Sequence, residues 1–188
     1  MPLASHSGLA VPPQRLPSRP RFGGVKFRLS AALLALVLIP VAALAAAPKP
    51  GEPAPPIGVQ SPSGKPVSLA SLRGKAVYIN FFASWCGPCN DEAPTIAALR
   101  KKYGPRGLVV LGIDTLDVPG QADAFQKKYA GPFDLIGLDD NGHVEQRSYG
   151  GVGLPLHVFI DRKGIVRTYL PGEITPAQIE AGIQSALK

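Results

Sequence analysis

Trp85-Cys86-Gly87-Pro88-Cys89 contains the only two cysteines of this 188-residue chain. Their spacing lets the two sulfurs form one disulfide within a single turn of backbone. A cysteine at a helix N-terminus meets unpaired backbone N–H groups and the positive end of the helix dipole, and both favour a thiolate. The thiolate is the form that attacks a disulfide. Cys86 is therefore the candidate nucleophile. Cys89, one turn further on, is the candidate thiol that resolves a mixed disulfide. Pro88 suits the first helical turn, where its missing N–H is not needed. Two buried structural cysteines would not need this Trp-Cys-Gly-Pro-Cys frame. A four-ligand zinc site lacks donors, because beyond the N-terminal segment only His143 and His157 remain.

Such a pair needs a strand that ends just before it and a helix that starts within it. The apolar run Val77-Tyr78-Ile79-Asn80-Phe81-Phe82 is too short for a helix and rich in β-formers, so Ala76 to Phe82 reads as a buried central strand. Ile96, Leu99 and Tyr103 recur at helical spacing, which predicts a helix from about Pro88 to Tyr103. Leu108 to Asp114 reads as a second buried strand, Gln121 to Tyr129 as a helix, and Phe133 to Leu138 as a short strand. Leu156 to Asp161 and Val166 to Leu170 form strands joined at Arg162-Lys163-Gly164, and Thr175 caps a last helix with Pro176 at its first position. Val59 and Val67 flank Ser61-Pro62-Ser63-Gly64, the signature of an N-terminal hairpin from Gly58 to Leu69. The order implies an α/β sandwich with a central mixed sheet flanked by helices.

Composition divides the chain. Eleven of the 21 prolines fall in the first 56 residues, so that stretch is no ordinary packed domain. The remainder has the size of a single domain, which excludes a two-domain enzyme. The net charge of +7 is concentrated at one end: five basic residues and no acid precede Pro48, and fifteen basic against thirteen acidic residues follow it. A nearly neutral domain lacks the basic face that nucleic acid requires. Leu29 to Ala47 is apolar, broken only by Ser30 and Pro40, follows Lys26 and Arg28, and ends in small residues. This predicts a signal peptide or signal anchor over residues 1–47. A Pro-rich linker over 48–56 and a domain over 57–188 follow it. Membrane contact is expected only through the N-terminal segment.

The domain resembles thioredoxins, and specifically the TlpA/ResA-like thiol-disulfide oxidoreductases. The resemblance runs from about Gly51 to Lys188. It is carried by Gly51-Glu52-Pro53-Ala54-Pro55, Val67 to Lys75, Asn80 to Cys89, Glu92-Ala93-Pro94, Gly153-Leu154-Pro155 and Phe159 to Gly164. It implies a thioredoxin-like fold with an inserted strand-helix segment between Cys89 and Pro155. It implies Cys86 as nucleophile and Cys89 as resolving thiol. Pro155 matches a cis-proline facing the disulfide, and Leu154 before it offers backbone groups to a bound peptide. Trp85, Gly87 and Pro88 complete the client-binding surface. Pro94 matches a helix-kinking proline. Asn80 stands where ordinary thioredoxin has a buried aspartate, and Glu92 matches the acid typical of this branch, so the acid–base role moves to it. An exposed helix glutamate is the competing reading of Glu92.

The resemblance further implies a reductase in the periplasm or on the outer face of a bacterial cytoplasmic membrane. Its clients would be disulfide-containing proteins such as apocytochrome c or copper-centre assembly factors, recharged through a membrane electron donor, with no bound cofactor and no metal. Gly87-Pro88 between the cysteines matches reducing thioredoxins. A peroxidase would need Pro and Thr or Ser ahead of its cysteine, where Ala83 and Ile79 stand nearby. The chain departs from the branch after Pro155, where Leu156 and His157 replace small hydroxyl residues. A second reading follows from that departure: a copper-binding assembly module using Cys86, Cys89 and His157.

Overall fold

The computed structural model describes residues 46–188. The expected signal segment lies, but for Ala46 and Ala47, outside the described residues. Seven strands form one sheet: β1 (Gly58–Gln60), β2 (Pro66–Ser68), β3 (Ala76–Phe82), β4 (Leu108–Thr115), β5 (Leu135–Asp139), β6 (Leu156–Ile160) and β7 (Val166–Pro171). Their order across the sheet is β2-β1-β5-β4-β3-β6-β7. Three α-helices accompany them: α1 (Gly87–Tyr103), α2 (Gln121–Lys128) and α3 (Pro176–Leu187). No helix among the described residues is long and apolar enough to cross a membrane.

The continuous apolar run of β3 is buried throughout, as a strand covered on both faces must be. Its side chains alternate between two core layers. Tyr78 and Phe82 enter one layer with Ile96 and Leu99 of α1, Phe125 of α2 and Ile179 and Ile183 of α3. Val77, Ile79 and Phe81 enter the other with Leu111, Ile113 and Val158, covered by Leu69, Leu72 and Tyr149. β3 runs parallel to β4 and antiparallel to β6. The mixed sheet is thus the expected one. Val59 pairs with Val67 in the hairpin, as their flanking of the Pro-Ser turn requires. The Thr175 side chain accepts from the Gln178 N–H while Gln178 reaches back to the Thr175 N–H, a complete capping box.

Register fixes where the site must be. Phe82, the last residue of β3, pairs with Asp114 near the end of β4. Phe81 pairs with Leu156, the first residue of β6. The turn into α1, the loop after β4 and the loop before β6 therefore leave the sheet side by side.

The Pro-rich stretch read as a linker is docked onto the domain. Gly51 donates to Val166, Ala54 donates to Gly164, Val166 donates back to Glu52, and Pro53 bridges Ile165. The prolines sit at a sheet edge, where a missing donor is tolerated, and the residues between them supply the N–H groups. Residues 51–54 are thus part of the domain rather than a spacer standing off it.

Gly182 faces the buried Phe159 ring, and a Cβ there would lie 2.5 Å from Phe159 Cε2. That ring is stacked on Tyr78 at 4.5 Å and has no room to retreat. Gly182→Ala is therefore expected to lower the unfolding free energy by about 1–3 kcal/mol despite the better helix propensity of alanine. Urea unfolding measures it, and a gain in stability would contradict the packing described.

Candidate active site

Ala83 to Cys86 carry the chain from β3 into α1. Cys86 is the helix N-cap, and its Sγ accepts from the Cys89 N–H at 3.2 Å. One of the first-turn donors that the sequence pattern called for thus points at the sulfur of Cys86. Cys86 and Cys89 are joined in a disulfide with 5.3 Å between Cα atoms. Cys86 is 5 % exposed and Cys89 2 %, so Cys86 is the more accessible of two well-buried residues. Pro88 lies in the first turn of α1, and Gly87 is exposed beside it. Pro94 lies inside the helix.

The turn is pinned from three sides. Asn90 Nδ2 donates to the Ser84 and Cys86 carbonyls at 2.9 and 2.6 Å, while its Oδ1 accepts from Tyr129 Oη at 2.6 Å. Ser84 N–H donates to Asp117 Oδ2, and Trp85 Nε1 donates to the Leu116 carbonyl at 3.1 Å. Trp85 is 61 % exposed although its indole N–H is held. Leu116, Val118 and Val152 are likewise exposed apolar side chains, all on the loops that leave this end of the sheet.

The Leu154–Pro155 peptide bond is cis. Pro155 is buried immediately before β6, and Leu154 packs against the core layer that contains both cysteines. Glu145, buried in a single turn of π-helix at Val144–Ser148, accepts from the Gly153 N–H at 3.3 Å. Its carboxyl also occupies the space a Cβ on Gly151 would take. This acid holds the loop ahead of Pro155. Nothing in the sequence pattern singled it out.

Glu92 is 5 % exposed, so the exposed-glutamate reading does not hold. Its Oε1 accepts from the Ile174 N–H at 2.7 Å, and its Oε2 has no hydrogen bond. Burial pushes its carboxyl up from 4.5 to about 7, against the Ile174 N–H, which lowers it, and with Glu173 and Asp91, which raise it. Asp91 itself is exposed. Asn80 is buried on β3, where it cannot ionise. A second carboxyl was missed: Asp114 is buried, and its Oδ1 has no partner. Burial and the neighbouring Asp117 push it from 3.8 to about 7. An acid ending an otherwise apolar strand was the available signal.

His157 has no exposed surface, and both ring nitrogens face protein groups: Nδ1 faces Tyr78 and Asn80, and Nε2 faces Gly172. Burial lowers it from 6.5 to about 4. With its lone pair occupied, it is not a free third ligand for copper beside the cysteines. No group of three His, Cys, Asp or Glu placed to hold a metal occurs among the described residues. A cavity of about 270 Å³ between Leu69, Arg73, Val77, Ile160 and Arg162 shares no residue with the cysteine site.

A strand-to-helix disulfide at the same end of this sheet as a cis-proline loop defines a thioredoxin-like thiol-disulfide protein. The model of the AhpC/TSA family matches residues 50–169. Thiol-disulfide oxidoreductase ResA of Bacillus thuringiensis is 32% identical over 130 residues, covering 69% of this chain and 74% of that one. Thiol:disulfide interchange protein HelX of Rhodobacter capsulatus is 31% identical over 146 residues, covering 77% and 78%. The crystal structure of a thioredoxin-family thiol:disulfide interchange protein from Chlorobium tepidum superposes with a TM-score of 0.64 at 29% identity, covering 76% of this chain and all of that one. The chain belongs to the AhpC/TSA family, among its ResA-like thiol-disulfide oxidoreductases.

Trp85 precedes Cys86 and is the only tryptophan. A disulfide beside an indole quenches it, so emission is expected to rise on reduction and to stay constant in Cys86→Ala. Titration with a dithiol reports it. Equal emission from the oxidised and reduced wild-type protein would contradict this placement.

Proposed function

We propose that the chain is an extracytoplasmic protein-disulfide reductase. The Cys86 thiolate attacks a client disulfide and forms a mixed disulfide, releasing one client thiolate. Cys89 then loses its proton to Glu92 and attacks Cys86 Sγ. The second client thiol leaves, and the Cys86–Cys89 disulfide remains. A membrane electron donor returns two electrons and resets the pair. Trp85, Gly87, Pro88 and Leu154 present the client-binding surface, and Pro155 faces the disulfide.

The observation that carries this reading is Cys86 Sγ capping α1 while exposed Trp85 adjoins it. A helix N-terminus favours the thiolate, and an exposed apolar rim suits an unfolded or extended client. The branch resemblance, with Gly87-Pro88 between the cysteines, supports reduction over oxidation. It also supports apocytochrome c or a copper-centre assembly factor as client, and relatives such as ResA and HelX support thiol-disulfide exchange as the chemistry. Residues 1–47 would supply the signal or anchor, and the folded unit would begin near Pro48.

The test uses the 48–188 fragment, in which all the packed residues described above lie. It is expected to reduce a peptide bearing a Cys-x-x-Cys-His disulfide when supplied with a dithiol, and Cys86→Ala is expected to abolish this. A fragment that oxidises the dithiol peptide but does not reduce its disulfide overturns the direction of the reaction.

A further inference from the structure

The His157 ring is wholly buried between β3 and the chain leaving β7. Its Nδ1 lies 2.8 Å from Tyr78 Oη and 3.2 Å from Asn80 Nδ2. An amide nitrogen only donates, so Nδ1 is an acceptor and carries no proton. Tyr78 then donates to the same nitrogen. Burial keeps the ring neutral at neutral pH. Its one proton is therefore on Nε2, which donates to the Gly172 carbonyl at 3.2 Å. The same Nε2 stands 3.4 Å from Glu92 Oε2, the buried oxygen without a hydrogen bond. That separation is long for a hydrogen bond. In a site closed to water, an N–H dipole at this range still acts strongly on a charge.

The surroundings leave His157 alone in this part. Glu173 and Asp91 are both negative and oppose ionisation of Glu92, while the Ile174 N–H favours it. From β3, Tyr78 faces the same region as a neutral phenol, held well above its ordinary range by burial and by Glu92. Among the described residues, the one basic side chain within 4 Å of Glu92 is His157.

We propose that His157 is a positioning residue for the acid–base step: Tyr78 and Asn80 lock its ring in the Nε2–H form, and that N–H holds the free oxygen of Glu92 as a carboxylate able to take the Cys89 proton. This rests on the role given to Glu92 above. The proton moves from Cys89 Sγ to Glu92. The S–S bond between client and Cys86 breaks as the Cys86–Cys89 bond forms. The departing client thiolate recovers a proton from Glu92 or water. His157 keeps its own proton throughout.

The experiment follows two readouts. One is the Glu92 carboxyl titration in the oxidised 48–188 fragment, read by carbon NMR and assigned with Glu92→Gln. The other is the pH profile of client-disulfide turnover. His157→Phe removes the N–H, and the Glu92 midpoint is expected to rise by roughly one pH unit. Turnover at pH 7 should fall about fivefold, because the ionised fraction falls from about a half to about a tenth. His157→Gln, which can return an N–H at similar reach, is expected to restore the midpoint. Tyr78→Phe removes the nearer of the two donors that hold Nδ1 unprotonated, which weakens the lock, and is expected to move the midpoint the same way by less, which keeps the test open if the His157→Phe protein does not fold. An unmoved Glu92 titration in folded His157→Phe or Tyr78→Phe protein overturns the inference. So does uniformly reduced turnover with an unshifted pH profile. A moved titration without any Glu92-dependent limb in turnover upholds the coupling of His157 to Glu92 and overturns the proton-acceptor role of Glu92 itself.

Discussion

Cys89→Ser is expected to stop the reaction at the mixed disulfide, leaving the protein covalently attached to its client through Cys86. The first step needs only the Cys86 thiolate, and the cap that favours it is a backbone N–H that serine leaves in place. The second step needs a sulfur nucleophile at position 89, and a hydroxyl there is a far weaker one. Turnover should fall by roughly 10³-fold or more, the scale on which loss of a covalent-catalysis residue acts. The variant should still fold. The disulfide spans a sequence separation of only 3, so the loop it closes is short. On the chain-entropy account such a loop contributes about 2 kcal/mol. A Cys89→Ser protein in the native cell envelope should therefore yield client adducts that disappear on reduction, and Cys86→Ala should yield none. Adducts formed by Cys86→Ser and not by Cys89→Ser would show that the roles of the two cysteines are reversed.

The parts legible in the sequence are those set by local pattern. β3 was readable because a short apolar run rich in β-formers, five of its seven residues, reads as a doubly covered strand. The start of α3 was readable because Thr175 and Pro176 are a cap and a first helical residue side by side. The cysteine turn was readable for the same reason: Cys86, Pro88 and Cys89 lie within four residues. The parts that were not legible depend on distant partners. Whether Glu92 is buried is decided by the chain at Gly172 to Ile174, 82 residues away, folding over it. His157 looked available for copper because nothing near it in sequence shows that Tyr78 and Asn80 claim its ring. The 48–56 stretch read as a spacer because proline content speaks only of local stiffness. Its docking depends on hydrogen bonds to residues 164 and 166. The π-turn at Val144–Ser148 is held by Asp139, whose two oxygens accept from Val144 and Glu145. A Gly-rich, weakly periodic stretch gives no local sign of such a turn.

Glu92→Gln is expected to make the protein slower and, above neutral pH, more stable. The two effects have one cause. Burial holds the folded carboxyl near 7, against 4.5 when exposed. The folded state therefore binds this proton more tightly than the unfolded state does. The stability associated with Glu92 is full below about pH 4.5 and is lost as the pH rises through about 7. Above that, keeping a charge on a side chain only 5 % exposed costs on the order of 3 kcal/mol. A neutral amide can still accept from the Ile174 N–H and carries no such cost. The variant should thus match the wild type near pH 4 and exceed it near pH 8. Asp114, raised in the same range, leaves a residual pH dependence in both proteins. The price in function is the proton acceptor. An amide cannot take the Cys89 proton, so resolution of the mixed disulfide should slow by roughly tenfold or more. The cysteine pKa should fall at the same time, because the carboxylate no longer repels a neighbouring thiolate. Thiol alkylation against pH, client turnover and urea unfolding at pH 4 and pH 8 measure all three. A surface glutamate would leave every one of them unchanged, since water screens it. Coincident curves would mean that the burial of Glu92 serves packing alone, and that Cys89 loses its proton to water.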